Sequence, residues 1–214
     1  MKRVFALLFT TLLAAFAMSS PSLAAEPQVG REFKVISPPL AGPKDKIEVI
    51  EFFSYGCPHC SDFHPIISKW AASLPKDVSF RRVPVSFSRP EWARLSRLYY
   101  ALEATGDLAK LDTAVFLALH EQRVSFKTDE AVIAWAVSKG ADAKKFGDAF
   151  GAFSMQSKVQ RADADATAAR IGGVPALAVD GKFLINNEAA SNYEHLLQIT
   201  DSVIVKARKD RKGK

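Results

Sequence analysis

The pattern of hydrophobic and polar positions predicts five β-strands. A β-branched and aromatic run, Ile47–Phe53, has almost no polar interruption, as is typical of a strand that is covered on both faces. Pro84 lies in the next strand and indicates either a local irregularity or an edge position, because proline cannot donate to the hydrogen-bond ladder. Asp180-Gly181, between two short apolar runs, is a strong hairpin signal. The predicted strands are Phe33–Val35, Ile47–Phe53, Val78–Val85, Pro175–Val179 and Lys182–Ile185.

Predicted helices lie between these strands and separate them into two groups. One helix opens at the cysteine motif, continues to about residue 74 and contains Pro65, which should kink it. Between residues 90 and 171 the pattern is helical, with breaks at glycines, and its aromatic stripe is expected to be core. Ser191 and Glu194 form a capping box that opens a terminal helix. The stripe consists of Trp135, Phe146, Phe150 and Phe153.

The order of the elements predicts an α/β fold. A β-α-β unit is followed by a block of helices and then by a β-β-α unit. The strands on either side of the block are expected to complete one sheet. We therefore predict a single sheet whose chain is interrupted by an all-helical insertion.

The first 24 residues have the character of a secretory signal peptide. Met1-Lys2-Arg3 is a basic start, residues 4–17 are an apolar run, and small residues precede a predicted cleavage site after Ala24, with Ala25 as the alternative. The other interpretation is a retained membrane anchor. The apolar run is shorter than the ~20 residues that a bilayer core requires, so export of the mature chain is favoured.

The charge of the chain is mild and does not indicate nucleic-acid binding. The formal net charge is +6, and two of the basic residues belong to the leader. Most of the remaining excess lies in the tail 206–214, which is typical of a solvated helix end. Elsewhere the sequence does not group lysine and arginine with aromatic residues as a nucleic-acid surface requires.

The only two cysteines lie in one tetrapeptide, Cys57-Pro58-His59-Cys60. An exported protein is expected to form a disulfide, but a four-residue loop would contribute roughly 2 kcal/mol as a staple, against about 5 kcal/mol for a loop of ~100 residues. Zinc normally takes four ligands, and the sequence has no second cysteine pair. Redox chemistry is therefore the better explanation for the cysteine pair.

The other histidines are expected to be ordinary surface residues: His64, His120 and His195.

Cys57 is predicted to be the attacking thiol. It lies where a strand ends and a helix begins, so unpaired N–H groups and the helix dipole lower its pKa. Protonated His59 adds positive potential, and Cys60, one turn later, is expected to be more buried and to resolve the mixed disulfide. A pKa about three units below ambient pH would stabilise the reduced protein by about 4 kcal/mol, or roughly 90 mV toward a stronger oxidant.

Glu51 is out of place in an apolar strand. Alternation puts its side chain on the same face as Val49 and Phe53, where burial would raise its pKa. It is therefore a candidate proton acceptor near the cysteines. The alternative is a half-exposed glutamate that pairs with a lysine or an arginine.

The segments FFSYGCPHC and GGVPALAVDGKF resemble the DsbA family of periplasmic thiol:disulfide oxidoreductases. The likeness extends over essentially the whole mature chain, and an acid six residues before Cys57 also fits it. It implies a thioredoxin fold built from residues 25–87 and 163–214, with an inserted all-helical domain at 88–162. His64 and Pro65 are less typical of the family and leave the details of the substrate groove open.

The resemblance also implies roles for individual residues. Cys57 would be the nucleophile with a low pKa, Cys60 the resolving thiol and Glu51 the buried acid. By base rate the Val174-Pro175 peptide would be trans, but the resemblance implies a cis peptide that faces the disulfide and presents its backbone to an extended substrate. The implied active-site tetrapeptide is Cys57-Pro58-His59-Cys60.

The implied activity is the oxidation of dithiols without a cofactor or a metal. The substrates would be unfolded exported polypeptides with free cysteines. A DsbB-like, quinone-linked oxidase of the inner membrane would restore the disulfide in the periplasm, and the protein is expected to be a monomer.

Two other functions stay open at this point. A thiol reductase or disulfide isomerase would be kept reduced; isomerases of this kind usually carry an added N-terminal domain, whereas only about 20 mature residues precede the Ile47 strand. A non-enzymatic metal- or peptide-binding module on the same scaffold is the second alternative. The redox state in the periplasm and a metal analysis would separate them.

Overall fold

The computed structural model describes residues 26–213, so the predicted signal peptide lies outside the described residues. None of the helices in this range combines the length and apolar character of a membrane span. The elements are β1 (Phe33–Val35), β2 (Ile47–Phe53), α1 (Pro58–Ala72), β3 (Val78–Pro84), α2 (Pro90–Thr105), α3 (Leu108–His120), α4 (Asp129–Ser138), α5 (Ala143–Gly151), α6 (Phe153–Ala168), β4 (Ala176–Val179), β5 (Phe183–Ile185), a short 3-10 turn (Asn187–Ala189) and α7 (Tyr193–Lys212).

The strands form one mixed sheet in the order β1-β5-β4-β2-β3. β2 pairs in parallel with β3 and antiparallel with β4, and all seven of its residues are buried, as the apolar run predicts. β3 lies at the edge, where Pro84 is tolerated. The parallel register places Glu51 directly opposite Arg82.

Helices cover both faces of the sheet. On one face, α1 and α7 pack against residues such as Val49. On the other face, Ala162 and Ala166 of α6 pack near Ile50 and Phe52. The β-α-β and β-β-α units therefore share one sheet, which confirms the α/β class and the thioredoxin fold with a helical insertion.

The insertion has a core of its own, and that core continues into the cysteine motif. Trp135, Phe146 and Phe150 are buried there, as predicted. The prediction for Phe153 is wrong, because this side chain is 81% exposed. Phe153 is the first residue of α6, and the extended residue Ala152 before it turns the chain away from the buried face of α5.

Side-chain caps mark several helix starts. Thr128 and Asp142 cap α4 and α5. The predicted capping box at Ser191 is wrong: α7 begins one residue later, with Asn192 accepting a hydrogen bond from the backbone N–H of His195. The backbone N–H of Ser191 donates instead to Nδ1 of His195.

Candidate active site

The two cysteines lie at the N-terminus of α1. Cys57 is the N-cap, with φ −95° and ψ 118°, and Pro58 is the first helical residue, where its missing N–H costs no intrahelical bond. The N–H groups of Cys60 and Ser61 both donate to the Cys57 carbonyl at 3.1 Å. Cys57 is 6% exposed and Cys60 is 0% exposed. Cys57 is therefore the sulfur that another molecule can contact.

The two thiols differ in acidity. The pKa of Cys57 is lowered from 9.0 to about 6, chiefly by a hydrogen bond from the Cys60 thiol; burial opposes this, while backbone N–H groups and the charge of His59 support it. Burial, and then the adjacent Cys57 sulfur, raise the pKa of Cys60. The backbone N–H groups at the helix start thus lower the pKa of Cys57, as the sequence predicts, but the hydrogen bond from the Cys60 thiol lowers it more.

A proline loop faces Cys57. The Val174–Pro175 peptide is cis, and the Cys57 thiol donates to the Val174 carbonyl with an Sγ to oxygen distance of 3.3 Å. Asn187 Nδ2 donates to the Pro175 carbonyl at 2.7 Å, which ties the loop to the segment before α7. The fold therefore brings residues from opposite ends of the chain to one sulfur atom.

The last helix also contacts the cysteine motif. The Tyr193 hydroxyl donates to the His59 carbonyl at 3.1 Å. Its ring packs on Phe63 of α1, with centroids 4.8 Å apart. Pro58 and His59 themselves are exposed beside Cys57.

The helical insertion holds the turn that precedes Cys57. The Tyr55 hydroxyl donates to Asp112 of α3 at 2.5 Å, and His120 Nε2 donates to the Tyr55 carbonyl at 2.7 Å. Gly56 leaves room for Trp92 of α2, because an added Cβ would lie 2.9 Å from the indole nitrogen. Elements of the insertion therefore set the position of Cys57.

A cluster of buried charges lies behind the cysteines. Glu51 is 0% exposed and accepts a hydrogen bond from Arg82 Nε at 2.7 Å, so it is both buried and paired. Arg82 Nη1 also donates to Asp112 Oδ2 at 2.6 Å. Burial raises the pKa of Glu51 against the attraction of Arg82. After burial and the Cys57 sulfur, the charge of Glu51 also raises the pKa of Cys60, so the carboxylate and this thiol interact electrostatically.

His64 is not a surface residue, contrary to expectation. It is buried, and its Nε2 lies 3.0 Å from Thr113 Oγ1 and 3.7 Å from Asp112 Oδ2. Burial lowers the pKa of His64. Helix α3 covers α1 on this side, and this contact has no local signal in the sequence. His120 and His195 are half-buried rather than freely exposed.

These features define the class of the protein. Within residues 26–213, no group of three or more histidine, cysteine, aspartate or glutamate side chains is arranged to hold a metal ion. The two cysteines form a thiol of lowered pKa and a more deeply buried thiol at a helix N-terminus, on a thioredoxin fold and opposite a cis-proline loop. This arrangement is that of a thiol:disulfide oxidoreductase.

Comparison with known proteins agrees. Residues 48–198 match the model of the DSBA-like thioredoxin domain. The thiol:disulfide interchange protein DsbA of Bordetella parapertussis is 40% identical over 208 residues, which cover 94% of this chain and 98% of that protein. The crystal structure of Pseudomonas aeruginosa DsbA aligns with a TM-score of 0.81 and 33% identity over 86% of this chain and 95% of that one. The crystal structure of oxidoreductase DsbA from Xylella fastidiosa aligns with a TM-score of 0.79 and 29% identity, over 86% of this chain and 100% of that one.

The chain belongs to the DSBA-like thioredoxin domain family. It is an enzyme that introduces disulfide bonds by thiol–disulfide exchange.

Proposed function

We propose that the protein oxidises pairs of cysteines in newly exported polypeptides of the periplasm, through a disulfide between Cys57 and Cys60. The observation that supports this most is the difference between the two thiols: the pKa of Cys57 is about 6, whereas burial raises the pKa of Cys60. Cys57 is therefore the better leaving thiolate, which favours transfer of the disulfide to a substrate.

The exchange proceeds in two displacements. A substrate thiolate attacks Cys57 Sγ, the Cys57–Cys60 bond breaks, and a mixed disulfide forms between the substrate and Cys57. Cys60 leaves as a thiolate and takes up a proton. A second substrate thiolate then attacks the substrate sulfur of the mixed disulfide, so that a substrate disulfide forms and Cys57 leaves as a thiolate. Two electrons have then passed from the substrate to the enzyme.

We assign to Glu51 the transfer of a proton to and from Cys60. Cys60 takes up this proton when it leaves as a thiolate, and it must lose the proton again when the disulfide is restored. Glu51 is buried, its charge acts on Cys60, and burial raises its own pKa, so its carboxyl group can hold a proton closer to neutral pH than an exposed glutamate.

The rim around Cys57 is assigned to substrate contact. Pro58 and His59 are exposed there, and the charge of His59 supports the Cys57 thiolate. Val174 and Pro175 lie opposite, and their backbone would pair with an extended substrate segment.

The oxidising strength that follows is modest at neutral pH. A folded pKa of about 6 in place of 9.0 favours the reduced enzyme by about 1.4 kcal/mol at pH 7, or roughly 30 mV. The sequence-based expectation of roughly 90 mV assumed a pKa three units below ambient pH. Here the gap is about one unit, because burial of Cys57 opposes the groups that stabilise its thiolate.

A partner must remove the two electrons that the enzyme gains. We assign this to a DsbB-like, quinone-linked oxidase of the inner membrane, acting on a monomer from which residues 1–24 have been removed.

The proposed domains of the mature chain are residues 25–87 with 163–214, and the helical residues 88–162. Helix α6 runs through the second boundary without interruption, and Ala166, beyond that boundary, packs in the same cluster as the sheet residues.

Cysteine variants test the proposed function. Cys57→Ser is expected to reduce the oxidation of a dithiol peptide to the uncatalysed rate. Cys60→Ala, offered a disulfide-containing substrate, is expected to accumulate mixed disulfides, visible on non-reducing gels, because no thiol releases them. Ser61→Ala on the same helix is the matched control and should retain full turnover. Full turnover by Cys57→Ser would contradict the assignment, and a wild-type enzyme found reduced in the periplasm would favour a reductase or an isomerase.

A further inference from the structure

Arg82 is shared between two carboxylates from different parts of the fold. Its Nε donates to Glu51 on β2 and its Nη1 to Asp112 on α3. The guanidinium lies 3.7 Å from the centroid of the Phe53 ring, with two further aromatic rings around it. Burial lowers the pKa of Arg82, but the charges of Glu51 and Asp112 outweigh it and hold the pKa above its ordinary value. Arg82 is therefore a fixed positive charge between the two acids.

Asp112 is itself held in place. The Tyr55 hydroxyl donates to its Oδ1 at 2.5 Å. Burial, and then the charge of Asp112, raise the pKa of Tyr55 well above its ordinary value, so the phenol remains a donor at neutral pH. The side chain of Asp112 is only 17% exposed, so little water competes for its carboxylate. Arg82 thus meets a second, preorganised acceptor.

The sharing of Arg82 between two carboxylates affects the pKa of Glu51. An arginine paired with Glu51 alone would hold it as a carboxylate, since an adjacent opposite charge lowers a carboxyl pKa by about 1 to 3 units. Without any cation, burial would keep Glu51 protonated. With Asp112 present, one positive charge serves two acids, and the cluster can accept one proton. The negative charge of Asp112 itself acts on Glu51 in the direction that raises its pKa, after the effects of burial and Arg82.

We propose that Asp112 is a positioning residue for the exchange reaction: by sharing Arg82 with Glu51, it keeps Glu51 able to take the proton of Cys60 and to return it. The inference rests on the role proposed for Glu51. It assigns part of the proton transfer to the helical insertion, because Asp112 lies on α3.

The titratable groups that face the cluster come from every element packed around it. Cys60 and His64 come from α1, Tyr55 from the turn after β2, and Tyr99 from α2. Burial lowers the pKa of His64 and raises that of Tyr99. Burial moves the pKa of Glu51 upward from the ordinary acidic range of a glutamate, toward neutral pH.

The test is the titration midpoint of Glu51, followed by carboxyl carbon NMR on the reduced full mature chain. Asp112→Asn keeps the size of the side chain and removes its charge, so the midpoint is expected to fall by about 0.5 to 1 unit. At pH 7 the oxidation of a dithiol peptide should slow by roughly threefold to tenfold, because fewer Glu51 carboxyls carry a proton. Asp112→Glu should restore both values. Asp148→Asn, which removes an exposed charge on α5, is the matched control and should change neither.

A second variant predicts a shift of opposite sign. Tyr55→Phe removes the hydrogen bond to Asp112, so that its carboxylate competes more strongly for Arg82, and the Glu51 midpoint should rise. Tyr55→Phe therefore carries the test if Asp112→Asn does not fold. An unchanged midpoint in the folded Asp112→Asn protein, or a shift of the same sign in both variants, would overturn the proposal.

Failure of the inference and failure of the proposed function have different signatures. If Glu51 does not handle the proton of Cys60, Glu51→Gln will leave the pH profile of exchange unchanged. If Glu51→Gln alters that profile but Asp112→Asn does not move the midpoint, the role of Glu51 stands and only the role of Asp112 is lost. The thiolate absorbance of Cys57 should titrate alike in wild type and Asp112→Asn, since the charge of Asp112 is not among the causes of its low pKa.

Discussion

The active site has two regions of different construction. The helix mouth, formed by residues 57–60 and the Val174–Pro175 loop, touches the surface and holds a thiol whose pKa is lowered to about 6. The charge cluster, formed by Glu51, Arg82 and Asp112, is enclosed and consists of ion pairs. We assign sulfur exchange to the first region and proton transfer to the second.

The difference shows how one reaction is divided between surface and interior. At the helix mouth, groups two and three residues after Cys57 stabilise an anion that must remain accessible to a substrate. In the charge cluster, residues up to 61 positions apart along the sequence meet in an apolar enclosure, where water cannot screen their charges. The first region should respond to local substitutions, and the second to substitutions in distant elements.

The largest expected effect comes from breaking the charge cluster. Glu51→Gln should slow exchange with a dithiol peptide by roughly tenfold to a hundredfold at neutral pH, because Cys60 loses the carboxyl group that gives it a proton as it leaves. The protein should still fold, since Asp112 continues to pair with Arg82. Stopped-flow kinetics measure the rate, with Glu121→Gln at an exposed position as the control. Unchanged kinetics would return Glu51 to a role in packing alone.

The pH dependence of stability tests the lowered pKa of Cys57 at the helix mouth. In the reduced protein the pKa of Cys57 is about 6 when folded and 9.0 as an ordinary thiol. A lowered folded pKa stabilises the protein fully above the unfolded pKa, and this stabilisation is lost as the pH falls through the folded pKa. The stability of the reduced protein relative to the oxidised one should therefore rise by about 2.5 kcal/mol between pH 5 and pH 8.

Urea unfolding of both redox forms across this range measures that difference. The pKa of Cys60, which burial raises, would destabilise the reduced form only above the ordinary thiol range. A difference that stays flat from pH 5 to pH 8 would mean that Cys57 is an ordinary thiol, and the oxidant interpretation would then fail.

A smaller effect is expected from displacing the helix mouth. Gly56→Ala puts a Cβ 2.9 Å from the indole nitrogen of Trp92 and should destabilise the protein by about 1 to 3 kcal/mol. The titration midpoint of Cys57 should move as well, because the turn before it shifts. Gly147→Ala in α5 meets nothing within 4 Å and should stabilise the protein by about 0.5 to 1 kcal/mol. Equal effects of the two substitutions in urea unfolding would show that contact with Trp92 does not hold the turn.

Much of the site could be predicted because its signals are local. Cys57 and Cys60 are adjacent in the sequence, and Glu51 interrupts an apolar strand. Arg82 was missed although alignment of two parallel strands would have placed it opposite Glu51; strand register is not visible in either strand alone. Asp112 and His64 carried no signal at all, since only the packing of α3 on the rest of the fold gives them partners.

By itself, the sequence determined the strands, the helix that opens at Cys57 and the chemistry of a closely spaced thiol pair. These follow from side-chain alternation, from the position of Pro58 and from backbone groups within a few residues of the sulfur. Tertiary structure alone decided which charges neutralise Arg82, where His64 is buried, and which carbonyl faces Cys57. The physical reason is that desolvation and pairing energies depend on distances between remote segments, and only the closed core sets those distances.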